Sequence, residues 1–453
     1  MPAKTIISIL ILWLCNWCAL SWGQPRELWK AEVGAGDNPP VLADGRVYTI
    51  GLFAPDGTST LDAVKEPDVA EVLLCLDAES GDEVWRQIIA QAKVKRGRAY
   101  EYEHVVPQLH EGHLYLRGAW GTLACYDANT GDQVWLREAD SLNAKTMDHG
   151  YQSSPLLHEG LLITTLCIEG QRRDVRLIAF SMADGKEVWK TQLGTAGRGH
   201  WSPPSLAKLD GQTQLIVLYN QYLIALNPKD GSEQWRFDAS GILKTEPELE
   251  PGTFGHTPED AHPPLIIGDT IMAEYRYQTT KGMICKSEYF AVRMQDDEPT
   301  LLCHRPDFIN WWDSQAVVCD QVYGIRREPK GRFGSTQARY AYRPKDVHGL
   351  LECRSPETGK ALWSKHNLLS PDTDHHFEAA VFTISNDRIF IHDEQNLIAG
   401  KITPEGYQYL WHTEVKGPAA QPLVSNDRLY LRMAPRGDLI CFRLASQDVL
   451  LRK

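Results

Sequence analysis

The sequence predicts an all-β fold: an eight-bladed β-propeller of four-stranded antiparallel blades, with the ring closed by the N-terminal strand. Three observations carry this. A turn of the type Asp-x-x-Thr-Gly recurs along the chain and is followed within five residues by tryptophan, as in Asp77-Ala78-Glu79-Ser80-Gly81 before Trp85, Asp127-Ala128-Asn129-Thr130-Gly131 before Trp135, and Ser355-Pro356-Glu357-Thr358-Gly359 before Trp363. Weaker copies lead to Trp189, Trp235 and Trp411. A period of roughly 40–50 residues is the mark of stacked or radially arranged units. The second observation is the internal grammar of each unit, and the third is that the last unit lacks a tryptophan strand while the start of the chain has one to spare.

Residues 1–23 stand apart from the repeats and are read as a signal peptide. Lys4 precedes an apolar run from Ile6 to Leu14, and Ser21-Trp22-Gly23 places small residues where a signal peptidase cuts. The run is too short to span a bilayer, so no transmembrane segment is expected after cleavage, an uncleaved N-terminal anchor being the alternative. This predicts an exported protein, periplasmic or otherwise in the cell envelope, or secreted. Residues 24–453 then form a single propeller domain.

Within it, Glu27-Leu28-Trp29-Lys30-Ala31-Glu32-Val33 resembles the tail of a repeat with nothing before it. Blade-like segments follow at 39–89, 104–138, 152–193, 202–238, 262–304, 313–366, 377–414 and 419–445. In each, a hairpin such as Pro155-Leu156-Leu157-His158-Glu159-Gly160-Leu161-Leu162-Ile163 precedes an apolar strand such as Leu177-Ile178-Ala179-Phe180, then the turn, then the tryptophan strand. Short β-rich runs separated by Gly, Asn and Asp, with no stretch of helical period, give four strands per unit. The last segment stops after Asp438-Leu439-Ile440-Cys441-Phe442, so the strand carrying Trp29 is expected to complete it and remove two open sheet edges.

Cysteines and charge narrow the function classes. Cys15 and Cys18 leave with the signal, and Ala19 stands where a haem attachment site needs histidine. Cys75, Cys125, Cys353 and Cys441 share one register of the third strand with Ala179, Ala225 and Ala399, so they are expected to be buried, small and mutually out of reach. Among Cys167, Cys285, Cys303 and Cys319, a bridge would most readily join Cys285 to Cys303 across one blade. Lys plus Arg number 47 against 59 Asp plus Glu, a net charge of −12, which disfavours nucleic acid as a partner.

The unit Leu-x-Ala/Cys-x-Asp-x-x-Thr-Gly-x-x-x-Trp is similar to the repeat of the pyrroloquinoline-quinone-like (PQQ-like) propellers, and the likeness covers nearly the whole mature chain. Trp29, Trp85, Trp135, Trp189, Trp235, Trp363 and Trp411 recur in register, and the resemblance implies that they dock one blade against the next. An indole suits that task because it buries a large area and offers one N–H to a carbonyl on the neighbouring sheet. The fifth unit departs from the pattern: Gln295-Asp296-Asp297-Glu298-Pro299 replaces the Thr-Gly turn, and Leu301 or Leu302 is expected where tryptophan should dock. Long loops gather nearby, at 239–261 and 328–347.

The family includes quinoprotein alcohol and sugar dehydrogenases, in which the resemblance implies calcium, PQQ, a catalytic aspartate and an adjacent cysteine pair. No two cysteines are neighbours in this chain and there is no Cys-x-x-Cys-His. No catalytic or metal-binding residue can be carried over, and no cofactor is expected, PQQ with calcium being the alternative. The chain is closer to the BamB-like non-catalytic branch, which implies a binding or scaffold module. Its ligand would be a protein, a small molecule or a sugar, held at the funnel face or on the loops of blades 5 and 6. Residues leading into successive inner strands supply the candidates: His104, His149, Tyr151, His200, Trp201, His262, Trp312, Asp313, His375 and His376, with Asp37, Asn38, Glu103 and Asp260 beside them. Such residues converge on the axis although they are far apart in sequence. Three neutral imidazoles can hold a divalent metal, and Trp201 or Trp312 can stack a planar cofactor or a sugar ring.

Overall fold

In a computed structural model, the residues described are 24–58, 68–93, 105–144, 151, 153–168, 175–194, 203–219, 221–242, 263–279, 282–296, 298–308, 315–329, 347–369, 377, 380–434 and 437–445. They form eight four-stranded antiparallel sheets. Seven are contiguous in the chain, at 41–93, 108–137, 156–194, 205–238, 265–308, 315–365 and 381–414 (blades 1 to 7). Blade 8 takes three strands from 423–443 and its fourth from Arg26–Glu32, which runs antiparallel to Asp438–Arg443 and sets Trp29 opposite Cys441. The closure expected from the two chain ends is therefore present.

Blades 1 to 7 run first to fourth strand in chain order. The first strands are short and lie beside one another around the axis, the second and third are almost wholly buried, and the fourth form the rim. Val84, Val134, Val188 and Leu362, each the residue before a docking tryptophan, are exposed there.

The joints between blades are made by tryptophan and glycine together. Indole N–H groups donate to carbonyls in the turn of the next blade: Trp29 to Ala78 (3.2 Å), Trp85 to Ala128 (3.2 Å), Trp135 to Met182 (2.8 Å), Trp189 to Pro228 (3.0 Å) and Trp363 to Thr403 (3.1 Å). The ring lies against the turn glycine. A Cβ on Gly81 would sit 2.6 Å from the Trp29 ring, on Gly131 2.7 Å from Trp85, on Gly185 2.7 Å from Trp135, and on Gly231 2.5 Å from Trp189. These glycines also have φ between +67° and +78°, so both backbone conformation and contact exclude a side chain. The aspartate opening the turn holds it from within: the Asp127 carboxylate accepts the Thr130 and Asn129 amides at 2.8 and 2.9 Å, donations that keep its pKa below the ordinary value.

The four cysteines of the third strand lie between two aromatic rings. Across each sheet the rows read Tyr48–Cys75–Trp85, Tyr115–Cys125–Trp135, Tyr323–Cys353–Trp363 and Tyr430–Cys441–Trp29. Where the second strand offers Ile163, Ile216, Met272 or Phe390 instead, the middle residue is Ala179, Ala225, Ala291 or Ala399. A small residue in the middle lets the outer rings close over it, with Tyr–Trp centroids 5.8 to 6.3 Å apart. Burial pushes the thiols of Cys75 and Cys125 up to about 11, so they stay protonated.

Two expectations are corrected. Cys303 is a free thiol, so the bridge to Cys285 is not formed, and Cys167 and Cys319 are free as well. Nor does Leu301 or Leu302 take the docking position of blade 5. Cys303 does: it lies opposite Ala291, as Trp85 lies opposite Cys75, and its thiol faces the Pro356 carbonyl at 3.9 Å. The bulge beside this position is common to the other blades, but here the third and fourth strands go on pairing through Arg293–Thr300, Met294–Pro299 and Gln295–Glu298, so the docking residue stands two positions farther along than in blade 1. The indole's space on the next turn glycine, Gly359, is filled by the stem of Arg305 and by Tyr289. One seam earlier, Trp235 meets a blade without a Thr-Gly turn and donates instead to Gln214 of its own blade at 2.8 Å.

Trp135→Ala is expected to lower unfolding free energy by about 3–5 kcal/mol, the range for truncating a buried aromatic. Trp235→Ala, which breaks no hydrogen bond across a seam, should cost clearly less; urea denaturation of the two variants measures the difference.

Candidate functional site

Strand order decides which face gathers the variable chain. In blades 1 to 7 the turn between the first and second strands and the turn between the third and fourth lie on one face. The loops between second and third strands, and all connections from one blade to the next, lie on the other. That second face is the funnel face. His104, His149, His200, Trp201, His262, Trp312, Asp313, His375 and His376 lie outside the described residues, as do Glu103 and Asp260. Most of the loops at 239–261 and 328–347 lie outside them too.

Tyr151 is described, and it is not a free hand in the channel. It is fully buried; its amide donates to the Ala119 carbonyl at 2.8 Å, its hydroxyl accepts the Cys167 amide at 3.0 Å, and the Arg117 guanidinium sits 4.5 Å from its ring centroid. Burial raises its phenol pKa far above the ordinary value. The sequence places it correctly on the connection into blade 3, but its neighbours make it part of the wall between blades 2 and 3. Asn38 is buried in the same way between blades 8 and 1.

A set of residues that sequence reasoning passed over holds these connections. Two positions beyond the core residue of each second strand stand Ile50, Arg117, Thr165, Leu218, Glu274, Ile325, His392 and Arg432. Where this residue is long and polar it reaches forward to the chain leading into the next blade. Arg432 donates to the carbonyls of Gly34 (3.0 Å) and Ile50 (2.7 Å), to the Thr49 hydroxyl (2.9 Å) and to the Asn38 side chain. Arg117 does the same between blades 2 and 3, donating to the Thr165 carbonyl (2.7 Å), the Thr164 hydroxyl (3.1 Å), and the Ser153 carbonyl and hydroxyl. The Glu274 carboxylate accepts from Gln315 at 3.1 Å, and the His392 Nε2 meets the Val415 carbonyl at 3.0 Å. The signal was in the sequence: Leu114-Tyr115-Leu116-Arg117 and Leu429-Tyr430-Leu431-Arg432 are the same four residues, ending apolar strands in a charge.

The oxygens these guanidiniums bond are neutral. Loss of water pushes Arg117 down to about 10, which still leaves it charged at neutral pH. Their chemistry is structural: forked donors that satisfy several carbonyls at once and so set where each connection begins.

The turn face offers two seam clefts. One of about 460 Å³ lies between blades 5 and 6, where tryptophan is missing, and is lined by Ile267, Thr270, Arg293, Asp320, Glu357 and Leu362. Arg293 is held there by Asp269 at 3.0 Å. The other, of about 280 Å³, lies between blades 3 and 4 beside His158, Glu159, Asn227 and Lys229. Among the described residues no group of His, Cys, Asp and Glu has the spacing of a metal site, and no helix is long and apolar enough to cross a membrane.

Comparison with known proteins places this geometry. The family described as outer membrane protein assembly factor BamB matches residues 69–243, which run from the third strand of blade 1 through blade 4. Among solved structures, BamB from Moraxella catarrhalis is 14% identical with a TM-score of 0.55, over 93% of this chain and 100% of that one. The quinohemoprotein alcohol dehydrogenase from Comamonas testosteroni is 14% identical with a TM-score of 0.57, over 95% of this chain and 77% of its own. A europium-containing methanol dehydrogenase is 11% identical with a TM-score of 0.55, over 93% of each chain. No curated protein sequence matches the chain. The fold is thus the eight-bladed propeller of the PQQ-like repeat proteins, as the repeat implied.

Arg432→Met should open the seam between blades 8 and 1 by leaving the Gly34 and Ile50 carbonyls without this donor, at a cost of about 3 kcal/mol or more in urea denaturation. A second outcome concerns acid. Burial depresses the His392 pKa below its ordinary value, so the unfolded chain takes up this proton first as pH falls. Stability is unaffected by His392 above the unfolded value near 6.5 and declines below it; His392→Gln should remove that part of the decline between about pH 7 and pH 5.

Proposed function

We propose that this chain is an exported, non-catalytic binding or scaffold propeller whose partner docks on the funnel face, in the manner of the assembly-factor branch of its fold. The observation that carries the reading is where the ordered chemistry goes. The buried polar side chains of the second strands, Arg117, Glu274, His392 and Arg432, are turned to backbone and neighbouring blades and hold the connections of one face in place. That is what a docking platform requires: a rigid scaffold presenting loops of free sequence.

The family match supports the same branch, since it is to the assembly factor rather than to a dehydrogenase. The sequence adds that no adjacent cysteine pair is present to lie against a quinone. Export is supported by the apolar N-terminal run and the envelope role that the family description names, outer membrane assembly. The partner would be a protein or a small-molecule or sugar ligand, and the acidic balance of the chain speaks against nucleic acid.

The deciding experiment is a dye-reduction assay on purified protein reconstituted with PQQ and calcium, using alcohols and sugars as substrates. No turnover above the protein-free control is expected. Quinone-dependent turnover that is lost in His104→Ala or Asp313→Asn would instead establish the dehydrogenase reading. Stoichiometric metal by elemental analysis, lost in both His104→Ala and His200→Ala, would establish a metal-binding propeller.

A further inference from the structure

Glu71 is a fully buried carboxylate on the third strand of blade 1, Asp68–Asp77, and it faces the seam with blade 2. One oxygen accepts the Ala119 amide at 2.8 Å, while the other is buried without a hydrogen-bond partner among the described residues. Gly118 lies so close that a Cβ there would fall 2.4 Å from this second oxygen. The carboxyl therefore grips one short bend, residues 118–122, which joins the second and third strands of blade 2 on the funnel face.

That bend is a junction. Its Trp120 packs into blade 1 against Ala35, Leu52 and Val69. Its Ala119 carbonyl accepts the Tyr151 amide, and Gly121 abuts the Tyr151 ring, so the bend also positions the chain leading into blade 3. Among the described residues, the charged and titratable groups acting on Glu71 are few. Arg117, immediately before the bend, favours the ionised form; its two terminal nitrogens donate to Ser153, Thr164 and Thr165 on the blade 3 side, while its Nε is buried without a hydrogen-bond partner among the described residues. The buried Tyr126 phenol on the third strand of blade 2 also feels the Glu71 charge. Desolvation outweighs the Ala119 hydrogen bond and Arg117, and pushes the carboxyl up to about 7.

We propose that Glu71 is a proton-operated latch: protonated, it keeps the 118–122 bend docked on blade 1, and ionised, it favours release of the bend. Release lets water reach the charge, uncovers Trp120 and loosens the Tyr151 connection, so the funnel face between blades 1 and 3 opens as pH rises from the acid range towards neutrality. The device does not depend on what the funnel binds or on whether the chain is an enzyme.

The test is hydrogen exchange at the Ala119 amide in the full chain, expressed as a protection factor so that the intrinsic pH dependence of exchange cancels. Between about pH 4.5 and pH 7 the wild-type factor should fall, by up to about ten-fold per pH unit, and level off above about pH 7 where docked and released forms are both ionised, and Glu71→Gln should flatten the profile. The Gly185 amide, bonded to Ser181 on the opposite face, should stay level in both proteins. A flat wild-type profile, or an unchanged slope in Glu71→Gln, overturns the latch. If the variant does not fold, infrared difference spectra of the wild type decide. A carboxyl band titrating together with Ala119 protection supports the latch, and full ionisation of the protein's carboxyls by about pH 5.5 overturns it.

Discussion

The contact between an indole and a turn glycine is the constraint on which this molecule rests. A four-stranded sheet of some forty residues cannot bury both of its faces alone, so each blade must be fixed to the next with little freedom of angle. The tryptophan of one fourth strand supplies area and a single directed hydrogen bond, and the glycine of the next turn supplies a surface flat enough to receive the ring. Neither works without the other: a Cβ at Gly131 would meet Trp85 at 2.7 Å. The aspartate that opens the turn binds its own amides and so keeps the glycine where the ring needs it.

The same logic explains the third strand. A row across the sheet must hold tyrosine and tryptophan over one residue, and only something as small as cysteine or alanine leaves room for both rings. Ten cysteines in one chain invite a disulfide reading, yet those of the third strands are spacers with thiols held protonated by burial. Where the pattern lapses, at blade 5, the joint is remade from unlike parts: Cys303, Tyr289 and the stem of Arg305 do what an indole does elsewhere. Ring closure uses a third device, in which Arg428 and Trp29 donate to one Ala78 carbonyl and Arg432 clasps the chain of blade 1.

How much of this was legible differs sharply between scaffold and site. Blade count, strand order and the Trp29 closure follow from a motif repeated often enough that each copy confirms the others. The docking position of blade 5 was misjudged by one or two residues because its hairpin pairs on to Gln295–Glu298, and where pairing ends is a property of two strands that one strand's sequence does not show. Tyr151 was placed on the right connection but in the wrong environment, since the partner that claims it, Arg117, lies 34 residues away in the chain. The Leu-Tyr-Leu-Arg strands carried a readable sign, a charge ending an apolar run, whose meaning depended on what lay across the seam.

By itself the sequence determined the number of blades, their internal order and the way the ring shuts, because those depend on local periodicity and on turns whose chemistry is complete within five residues. The tertiary structure alone decided which polar side chains are spent on holding neighbouring blades. Burial and hydrogen bonding across a seam join residues with no fixed spacing along the chain, so the environment of Glu71, Arg117 or Tyr151 exists only once two blades have met.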